Sequence, residues 1–306
     1  MRSRDADHAR LRAFALAAVV LTFLLIAVGG LVRATGSGEG CTGWPKCSAS
    51  RWLPPLVFHA IIEYSHRMTA FLDVVLVGAL AVVAWRGYRD VPRIVGPALA
   101  ATGLIVVQAV LGGIVVKGAL APLLVTAHFA TAIILAAVLV ALAVWAFALD
   151  AAPRREPDDF TTFARVVAAG TFGLLLVGAY VRGENAGLVF GTWPLMNGRL
   201  LPSLSSTPAA LQFAHRALAL VVGIGVGVLA VRAWTRRRDL GSAATLAMVA
   251  AGLYLLQVMI GATLVWSGRA EPAIVAHVLV SSLVWGSLVA TAVAGGIIAR
   301  RRESVP

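Results

Sequence analysis

The sequence has few charged residues for its length of 306. Asp, Glu, Lys and Arg make up 13% of it, against about 25% in a typical soluble domain, and 59% of the residues are hydrophobic. This composition excludes a soluble globular protein and predicts bundled membrane helices. Acidic residues are fewer than basic ones, 14 against 26, which gives a net charge of +12. Such a charge suggests nucleic acid binding unless the positions of the basic residues explain it.

Eight apolar runs are long enough, or nearly so, to span a bilayer, which takes about 20 helical residues. The fifth and sixth are short, and we expect them to continue at their outer ends. The sequence therefore predicts an all-α polytopic membrane protein with eight transmembrane helices. The runs cover roughly residues 13–32, 68–85, 94–116, 119–149, 166–181, 217–231, 240–266 and 272–299.

Basic residues are concentrated on one side of these runs. By the positive-inside rule that side is cytoplasmic, so both termini are expected in the cytoplasm. Arg300, Arg301 and Arg302 contribute to this assignment after the last run. Membrane topology thus accounts for the basic charge, and we expect no nucleic acid binding. Only nine of the 26 basic residues fall on the other side: Arg33, Lys46, Arg51, Arg67, Lys117, Arg182, Arg199, Arg216 and Arg269.

One short phrase occurs twice, as residues 63–67 (Glu-Tyr-Ser-His-Arg) and 212–216 (Gln-Phe-Ala-His-Arg). The offset of 149 residues also relates His128 to His277, and it indicates a tandem duplication. Because each half has an even number of helices, two four-helix bundles in parallel orientation are predicted. We expect the halves at residues 1–150 and 160–306, with a cytoplasmic linker at 151–159. Further identities at this offset are Val32-Arg33 with Val181-Arg182, Trp44-Pro45 with Trp193-Pro194, Gln108 with Gln257, and Gly112 with Gly261.

The four duplicated histidines, His66, His128, His215 and His277, lie near the outer ends of even-numbered helices. Ionisable groups in a span are costly, which favours a function. Imidazoles from two helices suit the two axial positions of a haem iron, whereas zinc and copper sites usually gather closer sets with Cys or carboxylate. We pair the histidines within each half. Pairing across the halves, or interfacial histidines bonded to water or backbone, are the alternatives.

Arginines and glycines accompany these histidines at the outer level. Arg33, Arg67, Arg182 and Arg216 are candidates for binding haem propionates, since guanidinium binds carboxylate well. They equally suit the boundary of a helix. The glycines at positions 112, 113 and 261 either leave room for a flat macrocycle or allow close helix packing.

The halves differ at two acidic positions. Glu63 precedes His66 by three residues, and its counterpart Gln212 has no titratable group. Only the first half can therefore exchange a proton there, unless Glu63 simply faces water at the interface. Asp73 lies two helical turns beyond His66, where the second half has a valine. It is a candidate for a proton relay or for a bond to another helix.

The two outer loops, at about 33–65 and 182–210, are rich in Gly, Pro, Trp and Ser. The first contains Cys41 and Cys47, for which we predict a disulfide on the oxidising side of the membrane. That bond could brace the loop or be redox-active. We also expect short interfacial helices at 56–62 and 208–213. His59, in the first loop, is a weaker candidate for a role.

Together these residues resemble the haem A synthase family over nearly the whole chain. The resemblance implies that His215 and His277 ligate a haem b cofactor, that His66 and His128 belong to the site for the haem O substrate, and that Glu63 is catalytic. The matching segments are 29–38 (Gly-Gly-Leu-Val-Arg-Ala-Thr-Gly-Ser-Gly), Cys41, 44–47 (Trp-Pro-Lys-Cys), 63–67, Gln108 to Gly113, His128, His215-Arg216 and His277.

The implied reaction is oxidation of the C8 methyl group of haem O to a formyl group, in successive hydroxylations that yield haem A. The implied partner is haem O synthase, the farnesyltransferase that makes the substrate; the electron acceptor is not implied. A non-catalytic di-haem b-type cytochrome or a haem carrier at the outer face is the alternative. A transporter is a further alternative, but it would more often have broken helices near the midplane, and the sequence gives no sign of them.

Overall fold

The computed structural model describes residues 2–154 and 156–298, and helices dominate it. Eight of its helices are long and apolar enough to cross a membrane, so the predicted all-α polytopic fold is confirmed. The predicted cytoplasmic position of the termini stays a prediction. Arg155, the arginines at 300–302 and residue 299 of the last predicted run lie outside the described residues. The helices are α1 Arg2–Ala34, α2 Phe58–Tyr88, α3 Pro92–Lys117, α4 Pro122–Phe147, α5 Asp159–Gly183, α6 Thr207–Thr235, the short α7 Arg237–Leu240, α8 Ser242–Trp266 and α9 Glu271–Gly295.

Four of the helices, α1, α2, α5 and α6, begin well before their apolar runs indicate. The short interfacial helices expected at 56–62 and 208–213 do not exist as separate elements; they form the first turns of α2 and α6. No helix-breaking residue separates them from the apolar runs, and Pro208 sits in the first turn, where proline is tolerated. Ser206 caps α6 by accepting the backbone N–H of Ala209. Glu63 and His66 consequently lie within a continuous helix.

The offset of 149 residues recurs in the backbone. The helices α1 and α5 end at equivalent positions, as do α3 and α8, while α2 and α6 begin at equivalent positions. Each outer loop opens with a 3-10 turn, Ser37–Glu39 in one and Ala186–Leu188 in the other. Each also contains a cis Trp-Pro peptide at the same place. Contacts in one half can therefore be compared position by position with those in the other.

The two sets of four spans meet through α1, α4, α5 and α9. Helix α1 packs against α2, α4 and α9, and α4 also contacts α5. One buried hydrophobic cluster crosses this seam and includes Phe23, Ile133 and Trp285. The Trp285 indole N–H donates to the Ile133 carbonyl oxygen at 3.1 Å, so a polar group is satisfied inside the seam. A second cluster, around Leu11, fills the end of the first bundle remote from the histidines.

A two-residue strand pair ties the linker to the end of the last helix. Ala152–Pro153 (β1) and Ile297–Ile298 (β2) pair antiparallel, with Ala152 opposite Ile298. The Arg154 N–H donates to the Gly296 carbonyl oxygen at 2.8 Å beside them. The pair is too short to alter the fold class, but it holds the linker over the end of α9.

Candidate active site

His66 and His215, the histidines of the repeated five-residue motif, each lie against a glycine on the preceding helix. A Cβ atom added at Gly29 would lie 3.2 Å from the Cε1 atom of His66, and one at Gly178 would lie 2.9 Å from the Cε1 atom of His215. Both distances are shorter than ordinary van der Waals contact. These glycines let α1 approach α2, and α5 approach α6, closely enough to fix the imidazole rings.

The other two histidines have equivalent surroundings. A Cβ atom at Gly112 or Gly261 would lie 3.4 Å from the Cε1 atom of His128 or His277, respectively. Two repeat-related glutamines bond the backbone behind these rings. The Gln108 amide donates to the His128 carbonyl oxygen at 3.0 Å, and the second half has the same bond at the same distance.

The histidines come together within each half. His66 is close enough to His128 to interact with it electrostatically, and the same holds for His215 and His277. Among the described residues, none offers a hydrogen-bond partner to the buried Nδ1 atoms of these four rings, which is unusual for buried polar atoms. Within residues 2–154 and 156–298 no three metal-binding side chains gather. Two imidazoles alone suit a metal whose other ligands come from a macrocycle, so these residues fit a haem.

Glu63 and Gln212 occupy equivalent positions, accept equivalent loop N–H groups and differ in their second partner. One carboxylate oxygen of Glu63 accepts the Cys41 N–H at 2.7 Å, and the other pairs with the Arg67 guanidinium. The Gln212 amide oxygen accepts the Phe190 N–H, also at 2.7 Å, while its NH₂ group donates to a loop carbonyl at 2.6 Å. Both side chains are 4% exposed. Glu63 is thus a buried, paired carboxylate beside His66.

Arg67 and Arg216 bind the outer loops. Arg67 donates to the carbonyl oxygens of Gly43 at 2.7 Å, Lys46 at 3.0 Å and Cys41 at 3.2 Å. Arg216 makes the equivalent bonds at 2.9 and 3.1 Å. The proposed contact of these two arginines with propionates stays a prediction, and it would have to share their guanidinium groups with the loops.

Arg33 and Arg182 lie at the seam between the halves. Arg182 donates to the Arg33 carbonyl oxygen at 3.2 Å, and its Nε atom is buried without a partner. Arg269 is close enough for its positive charge to repel the charge of Arg182. The side chain of Arg33 makes no hydrogen bond to the described residues. These guanidinium groups remain available to a carboxylate. Arg269, whose repeat counterpart is Leu120, was not among the arginines predicted to bind propionates.

The first outer loop folds over the first histidine pair. The predicted disulfide between Cys41 and Cys47 is present, and both cysteines are buried. Trp44, between them, packs on α3, where a Cβ atom at Gly113 would lie 3.0 Å from the indole ring. His59 hydrogen-bonds Ser37 at 2.9 Å, which ties the start of α2 to the same loop.

Asp73 is fully buried in the first bundle. Its two carboxylate oxygens accept the Thr22 hydroxyl at 3.0 and 3.2 Å. The second half has Val222 in place of the acid, and its equivalent threonine, Thr171, bonds the Val167 carbonyl oxygen of its own helix. The polar link between the first two helices is therefore specific to the first half.

The model of the COX15-CtaA family, described as a cytochrome oxidase assembly protein, matches residues 12–59 and 55–289. The chain belongs to this family. Glu63 and all four histidines lie within the matched residues, and the resemblance drawn from the motifs is confirmed.

Relatives of this COX15-CtaA protein are named "Heme A synthase". The protein of Alkalihalophilus pseudofirmus is 26% identical over 92% of this chain and 96% of its own length. That of Listeria welshimeri is 27% identical over 91% and 93%. That of Shouchella clausii is 29% identical over 74% and 78%. The similarity is thus spread over both halves of the chain.

Several contacts of this COX15-CtaA site were not predicted from the sequence. The close approach of Gly29 to His66 has a signal in the repeat, since Gly178 stands at the same offset. The bond from Arg67 to Glu63 has a weaker sequence signal, because the two residues are spaced by one helical turn. The Thr22 hydroxyl beside Asp73 has none, because the two residues are 51 positions apart and meet only through helix packing.

Proposed function

We propose that this protein is an oxidoreductase that converts haem O to haem A by oxidising the C8 methyl group to a formyl group through successive hydroxylations. The observation that supports this best is the asymmetry of a repeated site. The contacts around the histidines match in both halves, but a carboxylate, Glu63, stands in one and an amide, Gln212, in the other. The name of its relatives, "Heme A synthase", supports an enzyme that makes haem A.

In this proposal the two halves have different tasks. His66 and His128 of the N-terminal half (residues 1–150) hold the substrate, haem O, and the C-terminal pair at 215 and 277 (residues 160–306) holds a haem b cofactor. Haem b, when bound, supplies one-electron transfer. The second half offers no titratable side chain at the position of Glu63, which suits a cofactor that must not react.

Glu63 is proposed to be the proton-transferring residue. Oxidation of a methyl group to a formyl group moves protons as well as electrons, so a side chain that can give up and take up a proton is needed beside the reacting carbon. Arg67 and the Cys41 N–H each bind one carboxylate oxygen and fix its orientation. The disulfide loop packs over the same position and limits access of water. Arg33 and Arg182, whose guanidinium groups have free donors, are proposed to bind propionates at the seam.

Asp73 is proposed to be a second proton group, two helical turns or about 10 Å from His66 along α2. Its one hydroxyl partner, Thr22, does not neutralise a charge, and an unpaired charged carboxylate is costly inside a membrane protein. The apolar cluster around Leu11 and Val77 closes the side remote from His66. Proton exchange between Asp73 and the side of the bundle that contains His66 is therefore the favoured route.

The protein has the eight apolar helices of a multi-pass membrane protein. We propose the cell membrane as its location, with cytoplasmic termini and haem sites near the outer face, and haem O synthase as the partner that delivers the substrate. A membrane-bound donor suits haem O, whose farnesyl-derived tail keeps it in the bilayer.

A symmetrical di-haem carrier, the alternative function, would need no acid in one half only. The described spans are continuous helices, unlike the broken helices of many transporters.

Extraction of pigment tests the proposal. The full-length protein is produced together with haem O synthase, purified, and its haems are identified by mass analysis. We expect haem b together with haem O or haem A. Haem b alone, in the presence of ample haem O, would favour the di-haem cytochrome and overturn the synthase.

A further inference from the structure

A cleft opens at the seam between the two halves, at the end of the bundle remote from the histidines. It lies between α4, α5 and α9 and has a volume of about 550 Å³. Trp145, which lines it, follows His128 by 17 residues on α4, so about 25 Å separate the two along the helix. The cleft therefore belongs to a different site from the histidine pairs.

The inner part of this cleft is apolar. Its walls include Trp145, Ala169, Trp285 and Val289. The Trp285 indole N–H is already bonded to the Ile133 carbonyl oxygen, so the ring presents only its apolar surface to the cleft. Between membrane helices such a surface is filled by a hydrocarbon chain rather than by water.

The rim of the cleft is basic. Arg165, on the second turn of α5, is exposed and forms no salt bridge with a described residue. Its guanidinium lies over the end of α9, 3.9 Å from the position of a Cβ atom on Gly296. Arg154 is held at the roof by its N–H bond to the Gly296 carbonyl oxygen.

Acidic residues near the rim leave this basic character in place. Asp158 lies 3.7 Å from Arg154 and accepts the Thr161 N–H as the cap of α5. Burial opposes its ionisation, but the bonds to Thr161 and the charges of Arg154 and Arg236 hold the pKa of Asp158 below its ordinary value. Its charge is thus balanced locally, and the guanidinium of Arg165 has no counterion among residues 2–154 and 156–298.

The cleft is not part of the duplicated pattern. At the repeat-related positions of the first half, Arg165 corresponds to Leu16, Arg154 to Asp5, and Trp285 to Ala136. These positions of the first half therefore carry neither an arginine nor a tryptophan. The arginines and the tryptophan that line the cleft are therefore a feature of the seam and not of the repeat.

We propose that the cleft binds one anionic phospholipid of the inner leaflet, with its phosphate on Arg165 and one acyl chain along Trp285. Arginine pairs with phosphate through two parallel hydrogen bonds. Basic pockets between membrane helices on the cytoplasmic side are known places for such headgroups. The lipid would join α4 to α5 and α9, and so stabilise the contact between the halves. This inference does not depend on the proposed reaction.

Native mass spectrometry of the full-length protein tests the inference. The protein is released from nanodiscs of equal dioleoyl phosphatidylglycerol and dioleoyl phosphatidylcholine. We expect one retained phosphatidylglycerol on the wild type, at least a fivefold loss in Arg165→Gln, and a smaller loss in Arg165→Lys, which keeps the charge without the paired donors. Arg238→Gln removes an exposed arginine of α7 that does not line the cleft, and is the matched control. Ala169→Phe fills the apolar part with the charge intact and should also reduce retention.

Several outcomes would overturn the proposal. Equal retention of the two lipids would show an apolar groove without headgroup recognition. Unchanged retention in Arg165→Gln would place any bound lipid elsewhere. Displacement by millimolar inorganic phosphate would show a site for free anions, and a lipid-free dimer would show that a second copy covers the cleft. Melting curves of each variant in phosphatidylcholine alone verify that the fold is retained.

Discussion

Glu63 and Arg67 form an ion pair one helical turn apart, and together they bind the backbone of the disulfide loop. The equivalent residues of the second half, Gln212 and Arg216, bind the second loop without pairing with each other. The duplicated scaffold therefore supports either an amide or a carboxylate at this position. The carboxylate is compatible because the arginine next to it can turn one donor toward it.

Glu63→Gln should abolish conversion while leaving the fold and the haem content unchanged. Gln212 demonstrates that an amide fits this geometry, since it accepts a loop N–H and donates to a loop carbonyl. Loss of a proton-transferring group costs about 10² to 10⁴ in rate. Haem A yield and the visible spectrum of the purified variant measure both properties. Gln212→Glu is the matched control and should convert normally; a normal yield from Glu63→Gln would refute the catalytic role.

Gly178→Ala should displace His215, because the added Cβ atom would lie 2.9 Å from its ring. Overpacking of this kind costs about 1 to 3 kcal/mol. We expect a weaker low-spin haem b signal and a lower melting temperature. Gly173→Ala on the same helix meets no atom within 4 Å and should leave both unchanged. If the two variants gave identical spectra, the ring would not depend on this close approach.

Removal of single histidines should separate the two proposed haem sites. His215→Ala or His277→Ala should eliminate the bis-histidine spectrum of haem b, because one axial ligand is lost. His66→Ala or His128→Ala should retain that spectrum and lose bound haem O. Haem extraction and optical spectra of the four variants decide this. The pairing would be wrong if, for example, a variant at 215 lost haem O and kept haem b.

Arg67→Gln should loosen the first outer loop. Its guanidinium donates to three loop carbonyls, and bonds to charged groups contribute about 1.5 to 3 kcal/mol each. We expect faster reduction of the Cys41–Cys47 disulfide by a thiol and a lower rate of conversion. Arg216→Gln loosens the other loop and is expected to leave the reduction rate unchanged. Equal reduction rates in wild type and Arg67→Gln would argue against this function of the arginine.

Asp73→Val should fold normally and convert haem O more slowly. The second half has valine at this position, and Thr171 there bonds its own helix, an arrangement that Thr22 can copy. A relay requires the carboxyl group, whereas a structural link would appear as a loss of stability. Thr22→Val retains the acid and is the comparison. Full conversion by Asp73→Val at wild-type stability would exclude the relay.

The sequence by itself determined the membrane class, the eight spans and the identity of the four histidines. Hydropathy decides spans because each must cross the bilayer as one apolar helix, and the histidines stand out because a repeat at a fixed offset is visible without any structure. The start of α2 was placed wrongly, since the apolar run begins at residue 68 and the helix begins at Phe58. Polar residues at the outer end continue a helix as readily as they end it.

Only the tertiary structure decided which partners these residues have. The glycine behind each ring, the hydroxyl of Thr22 on Asp73 and the bonds from Arg67 to the loop all join segments that are distant in sequence. The basic cleft at Arg165 likewise exists only because the start of α5 lies beside the end of α9. Such contacts depend on how helices pack, and packing is set by shape complementarity over many residues rather than by any short pattern.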